Sequence, residues 1–291
     1  MVFASHQHHI TKRIGSMVLL TSVAVAAVTV GLRYGGLLEK TELEAYDRFM
    51  RLKPREAIDE RVLVVGVEES DIQTLQEYPL HDGTLAQALE ILDSYNPRAI
   101  GLDIARDVPQ GPPQGRVALT DVLSSSDRIV SACLLSSATQ PGVPPAPGTA
   151  PDLVGFADFP EDIGGVIRRS IMISVPSPPP VVVGQPHLCN DDSPDNEVLS
   201  LSFLLGLIYL EAEGIFPDQT EWGALTIGTV VFDPLSERSG GYASTGAFDY
   251  QVMLNYRSPV NAVRQVSLVD VLEEQVDPSW IDDRVVLIGY T

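Results

Sequence analysis

Hydrophobic positions along the chain fall into three patterns, and each predicts a different kind of element. The first is unbroken. Between Arg13 and Arg33 runs IGSMVLLTSVAVAAVTVGL, without a charged residue. At about 1.5 Å rise per residue this just crosses a hydrocarbon core of roughly 30 Å, so residues 14–33 are predicted to form a transmembrane helix. Lys12 and Arg13 precede it. The positive-inside rule then makes residues 1–13 a cytoplasmic tail and puts everything past Arg33 on the far side of the membrane. A cleaved signal peptide has the same basic start, with Ala24-Val25-Ala26 resembling a cleavage site, but the apolar run continues through Val30. A buried helix of a soluble protein is rarely apolar on every face. A membrane anchor accounts for the pattern best.

The second pattern has a helical period, and the third consists of short continuous apolar runs. Leu43, Tyr46 and Phe49 recur at helical spacing from Glu39 until Pro54 ends the helix, which makes residues 34–60 a juxtamembrane helix and linker. RVLVVGV (Arg61–Val67), AIGLDI (Ala99–Ile104), RIVSACLL (Arg128–Leu135) and RVVLIG (Arg284–Gly289) read as strands buried on both faces, as in a parallel sheet. A helix from about Thr84, with Asp82 as N-cap and Leu85, Ala88, Leu89 and Leu92 on one face, lies between the first two; a short helix, Val117–Leu123, lies between the next two. Thr139–Pro151 and Ser177–Glu197 are Pro-rich loops, and Gly164–Val175 is a strand leaving a glycine turn. Ser200–Glu213 is a helix stopped by Gly214, QVMLNYR a strand, and SLVDVLEEQ a helix with Ser267 as N-cap. No internal repeat is visible. The β-α-β-α-β succession implies right-handed crossovers. Residues 61–291 are therefore predicted as one α/β domain with a mostly parallel central sheet covered by helices on both faces, preceded by one transmembrane helix.

Charge removes one class of partner. The formal net charge is −20, and Lys12, Arg13 and Arg33 are the basic residues that precede the first acidic one, Glu39. The rest of the chain is more acidic still, and such a surface repels phosphate backbones, so nucleic acid is not a partner. The cysteines change less. Cys133 and Cys189 form no CxxC, and His187 beside Cys189 supplies at most two of the four ligands of a structural zinc. Cys133 reads as a small core residue of its strand; a disulfide requires an oxidising compartment. His6, His8 and His9 match no ligand spacing and read as part of a floppy tail.

The stretch IGLDIARDVP, Ile100–Pro109, is the main candidate for chemistry, because open α/β sheets bind ligands beyond the carboxyl ends of their strands. Glu68, Glu69, Asp71, Asp103 and Asp107 stand where neighbouring strand ends converge and offer the hard oxygen ligands that a divalent cation takes. The plainer reading makes Glu68–Asp71 a solvated loop with helix N-caps and pairs Asp103 with Arg106. Several enzyme classes lack their signatures. The first strand runs into GVEESD rather than a glycine-rich phosphate loop, and there is neither a P-loop nor a G-x-S-x-G elbow. An aspartyl-nucleophile phosphatase needs a second Asp two residues after the first, where Ala105 stands. Asp191, Asp192, Asp195 and Asn196 lack the glycine and spacing of an EF-hand loop.

Taken in order, AYDRFMRLKPREAIDERVLVVGVEESDI, YPLHDGTLAQALEILDSYNPRAIGLDIARDVP, VGFADFPEDIGGVIRRS, SLSFLLGLIYLEAEGI, MLNYRSP, VSLVDVLEEQ and RVVLIGYT resemble the extracytoplasmic CHASE sensor domain of the second type, in its cyanobacterial form. The resemblance runs from about Leu38 to Thr291. It implies a sensory input module and not an enzyme, with no catalytic residues, cofactor or metal. Family members carry an N-terminal membrane helix, this domain outside, then usually three membrane helices and a cytoplasmic kinase or cyclase output. Those later parts would follow Thr291, so the expectation is a receptor input domain without them. It is anchored in the cell membrane by a single pass and has a small ligand or a protein as its signal. A second copy of the chain is a candidate partner. Glu69, Asp71, Asp103, Arg106 and Asp107 are the candidate ligand-binding residues. The rival is a secreted or periplasmic carboxylate- or metal-dependent hydrolase built on Asp103.

Overall fold

A computed structural model describes the backbone of residues 2–181, 185–246, 249–260 and 262–291, and the side chains of these from Gly15 onward. Lys12, Arg13 and the three N-terminal histidines thus lie outside the described side chains, and part of the Ser177–Glu197 loop lies outside the described residues. The chain forms two compact units: residues 1–53 with 235–247, and residues 54–234 with 248–291.

In the first unit, α1 (Val2–Tyr34) is a single 33-residue helix. It continues through the segment that reads as a floppy tail, because residues 2–14 contain no glycine or proline to stop it. Its Gly15–Tyr34 portion is long and apolar enough to cross a membrane. A turn leads to α2 (Glu39–Leu52), whose Leu43 is buried. Residues 235–246 belong to this unit although the strands flanking them do not. Arg33 donates to the Gly240 carbonyl at 2.6 Å and pairs with Glu42 at 3.3 Å, while Arg238 lies over the Tyr34 ring.

The second unit is built on a six-stranded sheet. In chain order its elements begin β1 (Asp59–Val67), α3 (Glu69–Leu75), α4 (Asp82–Ser94), β2 (Ala99–Asp103), α5 (Pro113–Ser125), β3 (Ile129–Cys133) and β4 (Val154–Phe156). They continue with β5 (Glu161–Asp162), β6 (Val166–Ile167), β7 (Arg169–Ser174), β8 (Val198–Leu199), α6 (Leu201–Glu211), β9 (Pro217–Gln219), β10 (Leu225–Ile227) and β11 (Val230–Phe232). The chain closes with β12 (Tyr250–Met253), β13 (Val263–Ser267), α7 (Leu268–Leu272) and β14 (Val285–Tyr290). The central order is β13-β1-β14-β2-β3-β4, and every pairing in it is parallel.

Handedness explains where the helices go. The steps β1 to β2, β2 to β3 and β13 to β14 all move in one direction across the sheet. Right-handed crossovers therefore put α4, α5 and α7 on one face. There Leu85, Leu89, Leu92, Leu119, Leu123 and Leu268 pack on Leu63, Val65, Ile100, Leu102 and Val286. The return from β4 to β13 runs the other way and leaves α6 on the opposite face, with Leu201 and Leu205 against Ala99, Val130 and Val285. The four predicted strands all lie in this sheet, and β1 is interior to it.

Local differences have local causes. Asp82 is the first residue of α4 and not its cap, a place His81 takes. Gly164–Val175 divides into β6 and β7, the latter joining the antiparallel set β12-β7-β8. Ser267 caps α7 as predicted, and Ser200, read as the start of its helix, is the cap of α6; each accepts from the backbone N–H three residues on. Cys133 is a small core residue of its strand, as read, and is in addition joined to Cys189 in a disulfide across 56 residues, the alternative that the sequence favoured less. The pair ties β3 to the loop that follows β7 and sits in a small core with Val154, Phe156 and Val198.

Candidate functional site

The carboxyl edge of the sheet holds a cleft, and the packing of α6 shapes it. Two glycines let this helix approach the strands. A Cβ on Gly101 would fall 2.5 Å from Leu205 Cδ1, and one on Gly155 only 2.6 Å from Leu201 Cα. The first turn of α6 thereby comes to rest on β4, with Ser200 Oγ accepting from Phe203 N at 3.3 Å. Asp103, at the end of β2, and Asp158, two residues past β4, face the cleft together with Ser200, Ser202 and the apolar Phe156 and Leu287. Its volume is about 120 Å³. A second cleft, lined by Ser136, Ser174 and Asp249, shares Asp158 and Ile171 with the first.

Both carboxyls are partly shielded from water by the surrounding protein. Asp103 touches solvent through the mouth, yet protein surrounds it closely enough that burial pushes its pKa up. Burial raises Asp158 as well and outweighs the opposing hydrogen bond it accepts from Leu135 N at 2.9 Å. The cleft thus sets two partly shielded carboxyls beside serine hydroxyls, which suits a ligand read by hydrogen bonds.

Of the residues predicted as a site, only Asp103 stands here. Glu69 is exposed on α3 and accepts from Gln73 at 3.0 Å. Asp71 is buried and not solvated: it accepts from Ser267 Oγ at 2.8 Å, Val269 N at 3.3 Å and Glu68 N at 2.8 Å, tying α3 to α7. Asp107 is exposed. Arg106 does not pair with Asp103 and does not line a mouth. It is buried, donates to Leu80 O at 2.9 Å and faces Asp82 at 3.3 Å, where Arg116 joins at 3.4 Å. That triad has one carboxylate for two guanidinium groups, and Asp82 sits at the start of α4, where the helix dipole favours its charge. The five residues therefore do not gather, and among the described residues no group of three or more His, Cys, Asp or Glu side chains is placed to hold a metal ion.

Asp158, Ser200 and Ser202 were not candidates from sequence. Asp158 lies in GFADFP, just beyond a strand of only three residues, and that position at a strand end is the one signal that marks it.

The CHASE2 domain family model matches residues 23–291, and the chain belongs to this family. The match is to the family as a whole and singles out no cyanobacterial form within it. No curated protein and no solved structure matches the chain. Family membership gives it a general extracytoplasmic sensory role.

Proposed function

We propose that the chain is the input domain of a membrane-bound bacterial signal-transduction receptor, and that its signal is a small molecule bound at the carboxyl edge of the sheet. One observation carries the second part. The cleft between Asp103, Asp158 and the start of α6 presents two carboxyls with raised pKa beside hydroxyls of Ser200 and Ser202. Ser200 is engaged in capping its helix, so its hydroxyl serves orientation better than nucleophilic attack. The domain is read as non-catalytic.

A ligand acts by binding one conformation better than another. Two covalent paths join the globular unit to α2 and the membrane helix: the junction after Lys53, and the 235–246 segment, which leaves the globular unit after Pro234 and folds with α2. A signal that shifts the globular unit bears on both. In this reading the domain lies outside the cytoplasm, and the Gly15–Tyr34 helix, long and apolar enough to cross a membrane, is its anchor.

Protease added to intact spheroplasts expressing the full chain tests the placement. The globular unit should be digested and a stub of about the length of α1 protected. A domain that survives in intact spheroplasts and is cut only after lysis overturns the orientation.

A further inference from the structure

At the opposite, amino-terminal end of the sheet lies a cavity of about 240 Å³ whose lining includes Glu60, Arg264, Ser279, Trp280 and Arg284. Its two arginines are unlike the others of the globular unit. Among the described residues, each other arginine of this unit that is not solvent-exposed has a carboxylate within ion-pair distance. Arg98 meets Asp283 at 2.6 Å, Arg106 and Arg116 meet Asp82, Arg128 meets Asp93, Arg168 and Arg169 meet Asp162, and Arg257 meets Glu56. Arg264 and Arg284 have none.

Scarcity of acids does not explain this, in a chain with 39 acidic and 19 basic residues. Glu60 lines the same cavity and makes no ion pair with either arginine. Asp283, next to Arg284 in sequence, is held by Arg98 through two hydrogen bonds and acts on Arg284 only through space, without an ion pair. Asp277 is near enough to Arg264 for a weak electrostatic effect, but its carboxylate is held by the Ser279 backbone N–H at 2.9 Å.

One guanidinium group is stacked on a ring, and the other springs from a backbone pinned at both ends. Arg264 lies over the Trp280 ring, its Cζ 4.0 Å from the centroid, a contact that uses the face of the guanidinium and not its N–H donors. The backbone of Arg284 is anchored, its N–H donating to Ile281 O and its carbonyl accepting from Arg98 N. Its Nε is buried without a hydrogen-bond partner. A buried donor without an acceptor is costly, and two like charges sharing a cavity repel; an anion between them relieves both.

We propose that this cavity binds a small soluble oxyanion, a carboxylate or a phosphate group, between the guanidinium groups of Arg264 and Arg284. Guanidinium forks match both groups in geometry. The site is separate from the Asp103 cleft and does not depend on that cleft binding anything.

The test is a melting series on the full chain in an uncharged detergent, with sodium phosphate, sodium succinate or sodium chloride at equal ionic strength. At millimolar concentration phosphate or succinate should raise the melting temperature by a few degrees over chloride, and which one does so identifies the oxyanion. Arg264→Gln and Arg284→Gln should each weaken the apparent affinity at least tenfold, while Asp103→Asn should leave it unchanged. No shift over chloride with either oxyanion, or a shift that survives both arginine substitutions, overturns the proposal. Should the variants not fold, phenylglyoxal labelling of the wild type decides. The oxyanion should slow modification of Arg264 and Arg284 severalfold and leave the exposed Arg55 and Arg238 unaffected; equal rates with and without it reject the site.

Discussion

Asp103 carries a charge that its surroundings do not favour, and that gives its substitution a sign. Burial raises its pKa, so the folded state holds the proton more tightly than the unfolded chain does. The stability this contributes is fully present below the unfolded carboxyl pKa of about 3.9 and is lost as pH rises through the higher folded value. Asp103→Asn should therefore melt at or above the wild-type temperature at pH 7, and the difference should shrink toward pH 4. A loss of stability at pH 7 that persists at pH 4 would assign Asp103 a structural bond instead. Asp82 behaves oppositely, because it is the buried counter-charge of Arg106 and Arg116. Asp82→Asn leaves both guanidinium groups uncompensated and should cost about 3–5 kcal/mol in denaturant unfolding. At this scale the sequence is a poor guide. Asp103 was legible as a strand end, but the partners of Asp71, Asp82 and Arg106 come from segments far away in the chain, and nothing in IGLDIARDVP tells Arg106 to turn toward α4 rather than Asp103.

The elements were far more legible, since apolar period and capping chemistry act over neighbouring residues. β1, β2, β3 and β14 stand where unbroken Val and Ile runs put them, and Ser200 and Ser267 mark their helices through a hydroxyl aimed at the third N–H on. The two-residue strands β5, β6 and β8 had no such signal, being too short to show a period. The disulfide was equally hidden, because pairing of Cys133 with Cys189 depends on a loop path that composition does not encode. Closing a loop of that length restricts the unfolded chain by about 4 kcal/mol in the entropic account, with less delivered where geometry is imperfect. Cys133→Ala with Cys189→Ala should accordingly lower unfolding free energy by about 2–4 kcal/mol, and a reductant should do the same to the wild type alone. If neither treatment changes the denaturation midpoint, the bond is not formed in the native protein.

For the whole molecule, the family and the α/β architecture could be read from the order of segments, whereas the strand order could not. Crossover handedness predicts which face each helix takes once the order is known, but the place of β14 between β1 and β2 is fixed by contacts between the two ends of the globular chain. That place has a consequence in time. A ribosome delivers β1 and β2 early and β14 roughly 180 residues after β2, a delay of about 10–35 s at ~5–20 residues per second. Until Val285–Tyr290 emerges, the gap that it will fill leaves an unpaired edge on each of two strands made of Val, Leu and Ile. Such edges are templates for pairing with other chains. The nascent protein is thus most prone to aggregate just before its synthesis reaches the final strand, and most in need of a chaperone then.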